Sequence, residues 1–375
     1  VTAGDWIERV GDGPTLALAG LLVGTAFGAL AQRSRFCLRA ATVEVGRGTL
    51  GPKLSVWLLA FGAAVVGTQA LIASGLLEVG GARQLAARGS VSGAILGGAL
   101  FGAGMVLARG CASRLLVLSA TGNLRALVSG LIVTLVAQAS FRGALSPSRE
   151  WLAGLWVIDG GAHRHLLAPL GASPWLGIAL GLAWLAPGVW LARRHALRPG
   201  VTLPALGVGL AVAAGWLVTY AIAQLSFEPV AIKSVSFTGP SADTLMALIN
   251  QPAIPLGFDV GLIPGVFLGS LVAAAARGDL RLEGYEGGRS MVRYIAGAVM
   301  MGYGGMLAGG CAVGAGVTGG AVLATTAWIA LVAMWAGAVI ADRLVDRPVE
   351  TGPAAARAGG TGRATPGADP APINP

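Results

Sequence analysis

Residues 97–112 read GGALFGAGMVLARGCA and residues 297–312 read GAVMMGYGGMLAGGCA, a constant offset of 200 positions. Eight of the sixteen positions are identical, among them Leu107/Leu307, Cys111/Cys311 and the glycine pairs Gly97/Gly297, Gly102/Gly302, Gly104/Gly304 and Gly110/Gly310. Chance likeness in a chain rich in Gly and Ala would not also align two of only three cysteines. Each copy is an apolar run that stops at Arg-Gly-Cys or Gly-Gly-Cys and is followed by a second short stretch, 112–120 or 312–321. That is the pattern of a broken or re-entrant membrane segment, where bare backbone groups are tolerated only if they line a cavity or a ligand. Two such copies in one membrane protein place a site at their interface, often near mid-bilayer.

Outward from these segments the whole chain is apolar. Of its 375 residues 55% are hydrophobic and 11% charged, against about a quarter charged in an ordinary soluble protein. The 60 glycines and the mean hydropathy of +0.73 suit helices that pack closely in lipid. Stretches able to cross roughly 30 Å of hydrocarbon fall at about 14–32, 54–77, 91–108, 124–142, 175–192, 201–225, 260–276, 291–308 and 322–344. The expected fold is an all-α polytopic membrane protein of about nine transmembrane helices, with short re-entrant helices and an internal pseudo-symmetric inverted repeat. The repeat elements lie around 91–122 and 291–322.

Residues 1–349 are expected to form a single transmembrane transporter domain. Residues 350–375, rich in Ala, Pro, Gly and Thr, cannot bury enough surface to offset ordering entropy and are expected to be a disordered cytoplasmic tail. Residues 1–13 carry Asp5, Glu8 and Asp12 rather than a basic leader, so the first apolar stretch is expected to stay as a helix. The long connections 143–174 and 226–259 are amphipathic enough for short interfacial helices.

Short inner loops of membrane proteins collect Lys and Arg. With the N-terminus outside, 17 basic residues fall on the inner side and 6 on the outer, which predicts an N-out, C-in chain with an odd number of spans. The net charge of +9 is spread between apolar runs rather than gathered in a patch with aromatics, which speaks against nucleic acid. No nucleotide-binding fingerprint is present. A fainter echo pairs Gly24 with Gly265 and Gly28 with Gly269. Those two spans have the same derived orientation, so a shared small-xxx-small packing pattern is the reading there.

The three cysteines each follow a break, in RSRFC (33–37), ARGCAS (108–113) and AGGCAV (308–313). A free cysteine is commonly just a small buried hydrophobe, a reading the repeat weakens for Cys111 and Cys311. Spacings of 74 and 200 lack the local pairing of a zinc or iron–sulfur site, so neither metal nor cofactor is expected. A disulfide between two of the three, or redox chemistry, stays open. A neutral thiol is a weak, polarizable donor suited to a soft sulfur acceptor. Glycines Gly110, Gly309 and Gly310 leave amides bare beside the thiols, and helix N-termini after Cys111 and Cys311 favour an anion.

A small sulfur-containing anion satisfies both features. Arg33 and Arg35 before Cys37, and Arg109 and Arg114 around Cys111, read as positive-inside anchors or as anion attractors. Glu44 and Glu78 lack an obvious partner, His163 and His165 read as solvent-exposed loop residues, and the ten tryptophans read as interfacial belts.

The RSRFC segment, the GxGxxLARGCASRLL segment (102–116) and the GxxxGGCAVGAG segment (305–316), in this order among nine spans, resemble the YeeE/YedE family of membrane transporters over most of residues 14–344. Characterised members take up thiosulfate. The resemblance therefore implies inner-membrane uptake of thiosulfate through a cysteine-lined path, by relay of S–H hydrogen bonds over Cys37, Cys111 and Cys311, with Gly110, Gly309, Gly310 and Arg109 supporting the anion. It also implies a TusA-like cytoplasmic sulfurtransferase as a separate partner. Some relatives are tied to selenium metabolism, so a selenium or other sulfur compound stays an alternative, as does a membrane thiol sulfurtransferase or oxidoreductase.

Overall fold

The computed structural model describes residues 9–171, 173–252, 254–284 and 288–346. The tail expected over 350–375 lies outside the described residues. The helices are α1 (Asp12–Ser34), α2 (Leu38–Gly46), α3 (Pro52–Ala73), α4 (Val91–Leu107), α5 (Ala112–Ser119), α6 (Leu124–Arg142), α7 (Ser146–Gly154), α8 (Pro174–Arg194), α9 (Pro199–Leu225), α10 (Thr238–Asn250), α11 (Phe258–Ala275), α12 (Gly288–Leu307) and α13 (Thr325–Val345). Cys311 is followed by a wide π-helical turn, Ala312–Thr318.

Among the described residues, eight stretches are long and apolar enough to cross a membrane, counting Asp12–Gly46 and Val91–Ser119 as one each. Ser290–Leu307 with Ala312–Ala321, bent by 40°, is the ninth. These coincide with the nine stretches read from hydropathy. The chain is an all-α polytopic membrane protein.

Helix starts are fixed by local chemistry. Ser90 Oγ accepts the Gly93 N–H at 2.7 Å to cap α4, and Asn123 Oδ1 accepts the Ala126 N–H at 2.9 Å to cap α6. Glu44, which showed no partner in the sequence, caps α3 from outside: its carboxylate accepts the N–H groups of Lys53 and Leu54 at 3.3 and 2.9 Å. Short helices do occupy the two long connections, as α7 and α10.

Glycine sets the helix crossings. A Cβ on Gly97 would meet the Gly304 carbonyl and the Ala308 amide, and one on Gly297 the Gly104 carbonyl and the Ala108 amide. Gly304 and Gly104 complete the square against Gly97 and Gly297. Thus α4 and α12 run antiparallel with reciprocal contacts. The next layer matches: Gly102 lies on the Met334 carbonyl of α13, Gly302 on the Val133 carbonyl of α6.

The faint echo has a packing cause. Gly20, Gly24 and Gly28 of α1 face the backbone of α11 between Phe258 and Ser270, while Gly261, Gly265 and Gly269 face α1 between Ala17 and Thr25, in parallel order. In lipid no hydrophobic drive pulls helices together, so close backbone approach supplies the van der Waals contact.

Two features depart from the sequence reading. The connection between α9 and α10 does not stay at the surface: Ser234, Val235 and Phe237 are buried in irregular backbone. Ser234 Oγ donates to the Val212 carbonyl and Thr219 Oγ1 to the Lys233 carbonyl, both at 2.6 Å, so irregular backbone is paired inside protein as lipid requires. The tryptophans also divide. Trp151, Trp156, Trp175 and Trp190 are exposed, but Trp57 and Trp216 are buried. Trp57 stacks on Phe61 at 4.9 Å, with Trp335, Trp184 and Trp328 around this pair.

Gly97→Val drives a branched side chain into the α12 backbone and is expected to destabilise by about 1–3 kcal/mol or more, read as a lowered thermal midpoint in detergent. Gly130→Ala, in α6 where a Cβ meets nothing within 4 Å, is expected to leave that midpoint unchanged or raise it, by up to ~1 kcal/mol.

Candidate functional site

The same local structure is built three times. At the end of α1 the Phe36 N–H donates to the Ala31 carbonyl and the Arg35 N–H to that of Gln32. At the end of α4 Gly110 pairs with Met105 and Arg109 with Val106, and at the end of α12 Gly310 pairs with Gly305 and Gly309 with Met306. Each is a Schellman ending, with Arg35 (φ 55°), Arg109 (φ 55°) or Gly309 (φ 82°) in the left-handed region.

Two residues later comes a cysteine in extended backbone, the N-cap of the next helical turn. Its carbonyl accepts the first bond of that turn, from Ala41, Leu115 or Ala315. The first amides of each turn have no partner inside it and point at the sulfur's side. Cys311 Sγ accepts one of them, the Gly314 N–H, at 3.3 Å. All three cysteines are buried free thiols, so a disulfide is absent here.

The three breaks are not equivalent in space, although the turns after Cys111 and Cys311 touch. Cys37 and Cys111 are neighbours whose thiols interact with each other, and Cys111 Sγ also lies 3.3 Å from Ser113 Oγ. Cys311 stands at the other end of the α4–α12 crossing. Leu307 and Ala308, just before Cys311, pack on Gly93 and Gly97 near the start of α4, whereas Leu107 and Ala108, just before Cys111, pack on Gly297 of α12.

The polar surroundings of the two ends differ. At the Cys311 end, Ser236 of the buried connection abuts Gly314, and Thr318 Oγ1 donates to the Val235 carbonyl at 2.6 Å. Arg164, 5% exposed, donates to the Ala87 carbonyl and Thr326 Oγ1, both at 2.5 Å, and its Nε is unpartnered. Burial, and then Arg83 nearby, holds the Arg164 pKa below the usual guanidinium value. His165 is half-buried rather than fully solvated, its Nδ1 accepting the Leu167 N–H at 3.3 Å, and burial lowers its pKa.

At the Cys111 end the cation facing the thiols is Arg114, which acts on both Cys37 and Cys111. Arg109 is exposed, on the side of Asp346. Gly110 and Gly310 are buried beside their cysteines. Sequence reasoning grouped Arg109 with Arg114; the helical position of Arg114, three residues into the turn after Cys111, is the signal that separates them. A cavity of about 220 Å³ between α5, α6, α10 and α11 begins at Ala112 but is lined mostly by Leu, Ala and Val side chains, which suits lipid chains rather than an anion.

A family model described as sulphur transport matches residues 33–340. The chain belongs to this family. It is the family that the three cysteine segments resemble. The thiosulfate transporter TsuA of Escherichia coli (strain K12) is 28% identical over 356 residues, covering 88% of this chain and 95% of that relative. The thiosulfate transporter TsuA of Spirochaeta thermophila is 29% identical over 324 residues, covering 83% of this chain and 93% of its own length. Membership makes the chain a transport protein rather than an enzyme.

Ion pairs at the C-terminus of α13 stand beside the end of α4, where Arg293 also donates to the Val106 carbonyl. Arg47 of the α2–α3 turn grips Asp342 through Nε and Nη2, both at 2.9 Å, and Arg293 of α12 grips Asp346 through Nη1 and Nη2, both at 2.8 Å. Arg39 of α2 reaches Asp346 at 4.0 Å. Paired forks of this kind are the strong form of the contact.

The Arg293 guanidinium holds the Asp346 pKa below its ordinary 3.8. A depressed carboxylate contributes stability that is complete above the unfolded value and is lost as pH falls through the folded one. Thermal stability is therefore expected to fall as pH drops below about 4, and Asp346→Asn to flatten that part of the profile while lowering the midpoint at neutral pH. Equal acid sensitivity in wild type and variant would show that the pair does not tie α12 to α13.

Proposed function

We propose that this chain carries thiosulfate, or a closely related small sulfur anion, across the bacterial inner membrane along a path that passes Cys311 and then Cys111 and Cys37. The observation that carries the reading is the threefold recurrence of one device: a buried thiol at the head of a helical turn, beside that turn's first amides. The amides and Arg side chains favour an anion. The thiols favour its soft sulfur end, as weak S–H donors. Both relatives are named thiosulfate transporters, which supports the same substrate.

Gly110, Gly309 and Gly310 take part by exposing backbone beside the thiols, and Arg109, exposed on the side of Asp346, by drawing the anion toward the Cys111 end. We read the reciprocal, antiparallel α4–α12 crossing as two copies of an inverted repeat, each ending in its own cysteine. The 17-to-6 bias of basic residues orients the Cys311 end outward, with the N-terminus outside and the C-terminus in the cytoplasm. Residues 1–349 act as one transport domain, and a TusA-like sulfurtransferase receives the anion at the Cys111 end.

Conduction requires sites strong enough to enter and weak enough to leave. Neutral thiols meet that condition, because a thiolate in a poorly solvated path is costly and repels a dianion. No covalent step is needed.

A bacterium lacking its own sulfate and thiosulfate uptake is expected to grow on thiosulfate as sole sulfur source when it carries this protein. Cys111→Ala or Cys311→Ala is expected to lower initial uptake about tenfold, the scale of one lost hydrogen bond of ~1–1.5 kcal/mol. No growth with the intact, membrane-inserted protein moves the assignment to another sulfur or selenium compound. Uptake is also expected not to rise on alkalinisation; a rise that tracks thiol ionisation would overturn the neutral relay.

A further inference from the structure

Arg114 sits in the first turn of α5, three residues after Cys111, and is half-buried. Its Nη1 donates to Gln32 Oε1 at 3.3 Å, and Gln32 in the last turn of α1 is 8% exposed. Among the described residues no carboxylate lies within ion-pair distance of Arg114, whereas Arg39, Arg47, Arg125, Arg149 and Arg293 each meet an Asp or Glu. The other cation acting on Arg114 is Arg35. The local charge is thus uncompensated, beside two thiols in the interior of a membrane protein.

A cation removed from water needs a counter-charge, and a neutral amide supplies direction without charge. Intramembrane cations of this kind face a cavity or pathway and meet their partner there. The planar fork of Arg matches the oxygens of an oxyanion better than a point charge does. Close to Arg114, Cys37 and Cys111 offer only weak thiol donors. The two halves of the site therefore suit the two ends of one ligand.

We propose that Arg114 is an anion-binding residue that takes the oxygen end of the transported anion while Cys37 and Cys111 take its terminal sulfur, and that Gln32 is a positioning residue that aims the guanidinium. This rests on the transport reading above and deepens it. Sulfate can use the Arg114 half alone. Discrimination between thiosulfate and sulfate then comes from the thiols, and affinity for both comes from Arg114.

The test uses the purified full chain in proteoliposomes, with radiolabelled thiosulfate uptake, and in detergent, with the thermal midpoint titrated against thiosulfate and sulfate. Arg114→Gln is expected to raise KM for thiosulfate about ten- to a hundredfold, the range for a lost charge-assisted bond, without lowering the ligand-free midpoint. Arg114→Lys is expected to recover part of the loss, and Gln32→Leu to raise KM by a smaller factor with little change in maximal rate. Cys111→Ala is expected to narrow the thiosulfate-over-sulfate preference, while Arg114→Gln weakens both anions alike.

Wild-type KM in Arg114→Gln, with transport intact, overturns the role of Arg114 and leaves the transport reading standing. A ligand-free midpoint that collapses in Arg114→Gln and returns in Arg114→Lys without any change in KM assigns a structural role and overturns it equally. A wild-type chain that fails on thiosulfate but is stabilised by sulfate or selenate through Arg114 overturns the substrate and keeps the anion site. A wild-type chain that responds to no anion overturns both.

Discussion

Every backbone N–H and C=O inside a membrane must find a partner within the protein, and this constraint decides how the chain can interrupt a helix. The Schellman ending solves half of it: at Arg35, Arg109 and Gly309 the last carbonyls of the long helix are answered by the two amides that follow. The cysteine carbonyl then opens the next turn. What stays unanswered is the small set of amides at the head of that turn, and those are where the thiols lie. The breaks are thus closed on the carbonyl side and open on the amide side, an asymmetry that favours negative ligands.

Holding an arginine in the left-handed region costs on the order of 1 kcal/mol or more, and the structure does so at both Arg35 and Arg109. At the third break glycine meets the same backbone demand without that strain. The glycine-on-glycine crossing of α4 and α12 then fixes where two of the breaks stand. With no side chains between the backbones, the crossing cannot slide without opening a gap, so Cys111 and Cys311 are held at its opposite ends. The ion pairs of Asp342 and Asp346 perform a similar service at the C-terminal end of α13, where each carboxylate is paired rather than left alone.

Much of this was legible in the sequence, and the part that was not has a common cause. Length and apolarity are local properties, so the nine stretches and the short helices after Cys111 and Cys311 could be read directly. The Gly-Gly-Cys motif announced its own break. The Schellman ending at Arg35 carried no such signal, because arginine is a rare occupant of the left-handed region. Neither could local reading tell that Cys111 would meet Cys37 rather than its repeat partner, since that depends on the parallel packing of α1 with α11 and of α5 beside them. The buried connection before α10 was hidden for the same reason: its polar backbone is acceptable only because Thr219 and Thr318 answer it. Glu44 read as an unpartnered carboxylate because its partners are amides nine and ten residues on.

The arginines separate into two populations by what faces them. Arg47 and Arg293 are matched fork to fork with aspartates at the rim, and a charge so matched has little left to offer a passing anion. Arg114, half-buried, and Arg164, buried, hold only neutral partners, Arg114 beside Cys37 and Cys111 and Arg164 toward the Cys311 end. On the proposed path an arginine without a carboxylate partner can draw the anion in, whereas a paired one has little attraction left to give and a fully exposed one would be screened by salt. A third strong cation midway would hold the anion rather than pass it on. In the proposed relay, three thiols backed by amides would lower the intermediate barriers without creating that trap.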